Sequence, residues 1–201
     1  MTASYPGGKN MVKSGKRSTH RLGAVLGSVA FAGSLLTVAA PAAHAANPMD
    51  GFTCESGGYR IFTPYTYASD RMVLGWSQAS WDNGSIVQEP WQNAAHQQWT
   101  LCGENNPTRT DGKYYKLMDH ARHWCLGIDR AMTDDGNWLI DEPCNYSQSE
   151  IFFIQPVPGT DLKSIMAKHS NRWLSVDGSN SGSHVTQGSF KADLFELHKV
   201  W

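Results

Sequence analysis

The feature that most constrains this chain is that it matches itself twice. Displaced by 53 residues, Ile86-Val87 falls on Leu139-Ile140, Glu89-Pro90 on Glu142-Pro143, Gln97 on Glu150, Trp99 on Phe152 and Leu101 on Ile154, all without a gap. Displaced by 48, Leu117-Met118 falls on Ile165-Met166, Leu126 on Leu174, Ile128 on Val176 and Asp129 on Asp177. A third unit closes on Asp193-Leu194-Phe195, in the place of Gln97-Gln98-Trp99 and Glu150-Ile151-Phe152. Three units result, near residues 54–105, 112–156 and 159–199. Self-similarity at such a period marks a repeat architecture, whose units bury their apolar faces on one another.

Within each unit, short runs of Val, Ile, Leu, Tyr, Phe and Trp are separated by Gly, Asn, Asp, Ser and Pro, and no long helical periodicity intervenes. Asp82-Asn83-Gly84, Asp134-Asp135-Gly136 and Asp177-Gly178-Ser179 carry turn chemistry, because Gly and Asn tolerate positive φ. The class is therefore all-β. Units of this length also build propeller blades, but three blades are too few to close a ring. Three four-stranded units close instead as a six-stranded barrel capped by three hairpins, the β-trefoil. Trp99, Phe152 and Phe195 are then placed to meet on the pseudo-threefold axis as core.

The first 45 residues read differently. Lys9, Lys13, Lys16, Arg17 and Arg21 form a basic start, an apolar run rich in small residues extends from Leu22 to about Ala40, and Ala43-His44-Ala45 follows. This is the order of a secretory signal peptide cut after Ala45. The competing reading is a membrane anchor, and the small-residue site after Pro41 favours cleavage. Residues 46–201 are expected to form one secreted domain with no stable membrane insertion. That domain keeps all 18 acidic residues but only 12 of the 17 basic ones, for a formal net charge of about −6. Its Lys and Arg are scattered singly, which argues against nucleic acid as a partner.

All four cysteines, Cys54, Cys102, Cys125 and Cys144, lie in this domain. An even count in an exported chain points to two disulfides, whereas a metal site would need close pairs such as C-x-x-C. Of the three pairings, Cys125 with Cys144 closes a short loop inside one repeat, and Cys54 with Cys102 clasps the ends of another.

Gln97-Gln98-Trp99-Thr100 resembles the closing Q-x-W-T motif of ricin-B-like lectin repeats. Trp124-Cys125-Leu126-Gly127-Ile128, running to Cys144, resembles their opening motif and intra-repeat disulfide. The resemblance covers nearly all of residues 46–201 and implies a carbohydrate-binding β-trefoil. Gln97, Glu150 and Asp193 are read as scaffold, pairing backbone that would otherwise be buried unsatisfied. The family's sugar sites use an acid just after the opening Cys-Leu, a later aromatic platform and an Asn near the Q-x-W. Here the acidic positions hold Gly75, Gly127 and Ser175, and the platform positions hold Glu89, Glu142 and Gly188. The inherited sites are lost or rebuilt.

Candidates for a rebuilt site are Asp129 and Asp177, two residues beyond the vacant acidic positions, together with Trp81 and Trp138, just before the third strands of their units. A carboxylate accepts from adjacent sugar hydroxyls while a ring stacks on the apolar face of a pyranose. The structural alternatives are turn hydrogen bonds for the two acids and barrel cover for the two rings. Catalysis has no linear support: there is no H-E-x-x-H, G-x-S-x-G or phosphate loop, and His120-Ala121-Arg122-His123 reads as polar residues on the surface. No cofactor or metal is expected. The leading reading is a secreted, non-enzymatic lectin-like protein. The alternative is a trefoil that has lost sugar binding and docks a secreted protein through its loops, as an inhibitor or assembly component.

Overall fold

The computed structural model describes residues 47–67, 70–78 and 84–201. The expected signal segment and Trp81 lie outside them. The strands are β1 (Phe52–Cys54), β2 (Tyr59–Tyr67), β3 (Asp70–Trp76), β4 (Ile86–Pro90), β5 (Trp99–Glu104), β6 (Lys113–Asp119) and β7 (Cys125–Ile128). They continue with β8 (Leu139–Glu142), β9 (Phe152–Pro156), β10 (Leu162–Ala167), β11 (Arg172–Val176), β12 (Val185–Gly188) and β13 (Leu194–Lys199).

Six of these close a ring by antiparallel pairing, in the order β2, β5, β6, β9, β10, β13 and back to β2. The hairpins β3–β4, β7–β8 and β11–β12 leave this barrel. At their inner ends Ser85 bridges Ile140, Trp138 bridges Thr186 and His184 bridges Val87. Each hairpin thus touches the next in cyclic order, forming a triangle around a threefold axis. A six-stranded barrel with such a triangular cap is a β-trefoil, as the repeats require.

Trp99, Phe152 and Phe195 are fully buried in one cluster with Ile61, Leu74, Leu117, Leu126, Ile165 and Leu174. They stand at the starts of β5, β9 and β13, opposite Tyr59, Tyr115 and Lys163 respectively. The indole N–H of Trp99 donates to the Leu74 carbonyl at 3.1 Å, so the largest core ring hides no unpaired donor.

The polar partners of these rings are also buried, and their chemistry explains two substitutions. Gln97 accepts from the Gln92 amide at 2.8 Å and donates to the Pro90 carbonyl at 2.8 Å. Glu150, in the same place, accepts from the Asn145 amide at 3.0 Å but has no proton to donate when ionised. Lys116 supplies what is missing. Its buried ammonium lies 3.0 Å from Glu150 and donates to the carbonyls of Asn145 and Pro48 (2.9 Å for the latter). Asp193 accepts from the Val176 amide at 2.8 Å and pairs with Lys191 at 3.1 Å.

A second set of equivalent positions ties hairpin to hairpin. Gln88 donates to the Gly178 and Asn180 carbonyls at 3.1 and 3.0 Å and accepts from Thr63 at 2.9 Å. Gln187 donates to the Met132 and Asp134 carbonyls at 2.9 and 3.0 Å and accepts from Ser170 at 2.7 Å. In the second repeat the counterpart is Asp141, opposite Leu126 as Gln88 is opposite Leu74. It is fully buried, and neither oxygen has a hydrogen-bond donor among the described residues. Burial first, and then the neighbouring Asp119 carboxylate, push its pKa up to about 8, against the pull of Arg122 at 3.6 Å.

In the segment read as surface, His120, Ala121 and His123 are exposed and Arg122 is half-buried. Its guanidinium lies 3.6 Å from the Trp76 ring centroid and 4.9 Å from that of Trp124, joining the first repeat to the second. The Asp119 carboxylate holds this turn by accepting from the amides of Ala121, Arg122 and Trp124.

The disulfides are Cys125–Cys144 and Cys54–Cys102. The second joins β1 to β5, so it fastens the N-terminal strand to the barrel.

Candidate functional site

In the first two repeats the vacated acidic positions are not empty. Gly75 lies opposite Val87 and Gly127 opposite Ile140, two residue pairs along the hairpin from Glu89 and Glu142, which stand opposite Val73 and Cys125. A Cβ built on Gly75 would fall 2.3 Å from Glu89 Oε1, and one on Gly127 would fall 2.4 Å from Glu142 Oε1. A carboxylate has therefore returned to the same space from the opposite strand, and the missing side chain is what admits it. The third repeat has no such replacement, for Ser175 faces Thr186 and Gly188 faces Trp173.

Around Glu89 a polar chain forms. His96 Nε2 lies 2.6 Å from Glu89 Oε1, and Gln78 Nε2 lies 3.0 Å from His96 Nδ1. A cleft of about 280 Å³ opens here, lined by Gln78, Val87, Glu89, Gln92, His96 and Gly182. In the second repeat the half-buried Glu142 has its pKa raised by burial and by the charges of Glu150 and Asp129. Asp129, singled out in the sequence, thus adds its charge to the rebuilt position.

The other sequence candidates gather at the triangular cap. Trp138 is 48% exposed, yet its ring lies flat on the half-buried His184, with centroids 4.1 Å apart and planes 4° apart. Asp129 donates its amide to the Trp138 carbonyl at 3.0 Å, and Asp177 to the His184 carbonyl at 2.8 Å. Each acid therefore stands opposite one residue of the stack across its hairpin. Arg130 is the only ion-pair partner of Asp129 among the described residues, at 3.9 Å, and the exposed Asp177 has none. Among the described residues neither carboxylate accepts a hydrogen bond. Val87 pairs with His184 and also lines the Glu89 cleft, so one strand connects platform and cleft.

Three of these groups escaped the sequence reading. His184 is the repeat counterpart of Trp138, but the β11–β12 loop is two residues shorter than the β7–β8 loop, and an ungapped displacement misses it. His96 directly precedes Gln97, the signal that would have drawn attention to it. Gln78 lies in a loop that no motif marks. Among the described residues no group of three or more His, Cys, Asp or Glu side chains is arranged to hold a metal.

A six-stranded barrel capped by three hairpins, with two of its repeats carrying a carboxylate over a glycine, defines a β-trefoil. Residues 95–188 match the family model described as ricin-type β-trefoil lectin domain-like. Among solved structures, the designed threefold-symmetric protein ThreeFoil aligns with a TM-score of 0.59 at 22% identity, over 70% of this chain and 97% of its own. A Macrolepiota procera ricin B-like lectin, solved in complex with lactose, aligns at 0.51 and 20% identity, over 71% and 96%. The exo-β-1,3-galactanase 1,3Gal43A from Clostridium thermocellum aligns at 0.59 and 20% identity over 73% of this chain, which spans only 31% of that enzyme. These likenesses are of fold. No curated protein matches the chain in sequence.

Proposed function

We propose that this protein is a secreted, non-enzymatic carbohydrate-binding module for extracellular glycan or polysaccharide. The observation that carries the reading is the exposed Trp138 ring, braced flat by His184, with Asp129 and Asp177 standing opposite the two rings across their hairpins. An aromatic face with acceptors beside it matches the two surfaces of a pyranose, apolar C–H on one side and paired hydroxyls at the edge. The Glu89 and His96 cleft, joined to the platform through Val87, supplies a further carboxylate for a neighbouring sugar. Trp81 remains a candidate second platform. The lectin-like family and the lactose-bound relative support a sugar over a protein partner.

Two disulfides are consistent with an extracellular protein, and no helix of the described residues is long and apolar enough to cross a membrane. Export through residues 1–45 is part of the proposal. Sequencing the N-terminus of protein recovered from medium is expected to begin at Ala46.

Calorimetric titration against a panel of neutral oligosaccharides and polysaccharides tests the function. Trp138→Ala is expected to weaken binding about tenfold or more. Trp81→Ala, Asp129→Ala, Asp177→Ala and Glu89→Gln report the other contacts. No binding across the panel, or binding indifferent to all five substitutions, refutes this reading.

A further inference from the structure

At the end of the barrel where β2, β6 and β10 begin, away from the hairpins, the threefold pattern breaks in charge. Tyr59 stands opposite Trp99 and Tyr115 opposite Phe152, and both phenol rings pack against the core. The third counterpart, opposite Phe195, is Lys163. Directly opposed residues of an antiparallel pair share a face, so the Lys163 stem leaves from the face occupied elsewhere by tyrosine.

Lys163 borders a cleft of about 410 Å³ together with Lys113, Tyr115, Ile154 and Pro156. The two lysines flank β9 from either side, Lys113 pairing with Ile154 and Lys163 with Pro156. Lys113 is seated over Gly103, where an added Cβ would lie 2.6 Å from its ammonium nitrogen, and that nitrogen lies 5.6 Å from the Tyr115 ring centroid. Glu55 and Glu104, whose charges reach Tyr115, are engaged elsewhere, by the Tyr59 hydroxyl and the Tyr114 amide.

No carboxylate lies in ion-pair range of Lys113 or Lys163 among the described residues. Arg71, Arg109, Lys116, Arg172 and Lys191, by contrast, each pair with an acid. Two cationic side chains on the lining of a cleft with an apolar floor are complementary in charge to an anion. The sequence shows these lysines as isolated charges 50 residues apart, and the fold brings them to one cleft.

We propose that the Lys113–Lys163 cleft binds an anionic sugar unit, its carboxylate or sulfate ester held by the two ammonium groups and its ring resting on Tyr115. A flat apolar ring bordered by two cations fits a hexuronate or a sulfated hexose better than a neutral sugar, which would leave both charges uncompensated. The inference rests on carbohydrate recognition as the function and adds to it a second site at the opposite end of the barrel from Trp138. It makes the preferred polymer an acidic one.

Isothermal titration of the protein at low ionic strength with glucuronate, glucose 6-sulfate, glucose and sodium sulfate tests the proposal. Either acidic sugar is expected to bind more tightly than glucose, and the stronger of the two identifies the anion. Lys113→Ala and Lys163→Ala are each expected to weaken it about tenfold. Gly103→Ala, which displaces the Lys113 ammonium while keeping its charge, is expected to weaken it less. The dependence of acidic-sugar binding on the two lysines is expected to persist in the Trp138→Ala background, which separates this site from the platform. Equal affinity for glucose, an undiminished affinity in the double lysine variant, or inorganic sulfate binding as tightly as the sugars would overturn the inference. Neutral-glycan binding lost only in Trp138→Ala would then still stand on its own.

Discussion

Asp141→Asn should raise the stability of this fold in alkaline solution and leave it nearly unchanged in acid. Gln88 and Gln187, at the equivalent hairpin junctions, place neutral amides where Asp141 buries a carboxyl group without a donor. Its folded pKa of about 8 stands roughly 4 units above the unfolded value of about 3.9. A proton held more tightly in the folded chain stabilises that chain fully below pH 4, and this contribution is lost as the pH climbs through 8. At about 1.4 kcal/mol per unit, the full swing has a ceiling of about 5.6 kcal/mol. Attraction to Arg122 and local relaxation bring the expected gain of the amide to about 3 kcal/mol at pH 9. For a domain of this size that is a rise in Tm of roughly 6–12 °C. Urea unfolding with the disulfides intact, at pH 4.5 and pH 9, measures it directly. Equal effects of the substitution at both pH values would refute the assignment of a buried, protonated Asp141.

Three further outcomes follow from the same interior. Lys116→Met leaves the Glu150 carboxylate buried without its cation and is expected to cost about 3–5 kcal/mol, most of it recovered by adding Glu150→Gln, with thermal unfolding of the single and double variants as the check. Trp99→Ala empties the centre of the core and should cost about 3–5 kcal/mol, read in the same assay, whereas Trp201→Ala at the exposed C-terminus should cost under about 1 kcal/mol. Replacing Cys125 and Cys144 together by Ser reopens a separation of 19 residues and is expected to lower stability by about 2–4 kcal/mol under oxidising conditions, measured by chemical denaturation.

The repeats make the barrel legible because the period-two burial of short strands and the closing rings are local properties of the chain. Trp99, Phe152 and Phe195 read as one core from spacing alone. The same displacements also align Glu89 with Glu142, yet at those positions acids signified only the loss of a platform. Their carboxylates fold back over Gly75 and Gly127, and nothing in strand periodicity says where a flexible side chain will point. Asp129 and Trp138 were legible as candidates because they flank turn residues. That Trp138 rests on His184 was not, since the two rings come from different hairpins, with unequal loops between their strands.

Sequence by itself determined the fold class, the three units, the cysteine partners and the identity of the central aromatics, because each follows from patterning along a single strand or repeat. Tertiary structure decided which charges are neutralised, which carboxyl group is stranded at Asp141, and which lysines share a cleft. Those outcomes depend on distances between residues roughly 20 to 50 positions apart, and electrostatic free energy is set by separation and burial in space, to which chain order is blind.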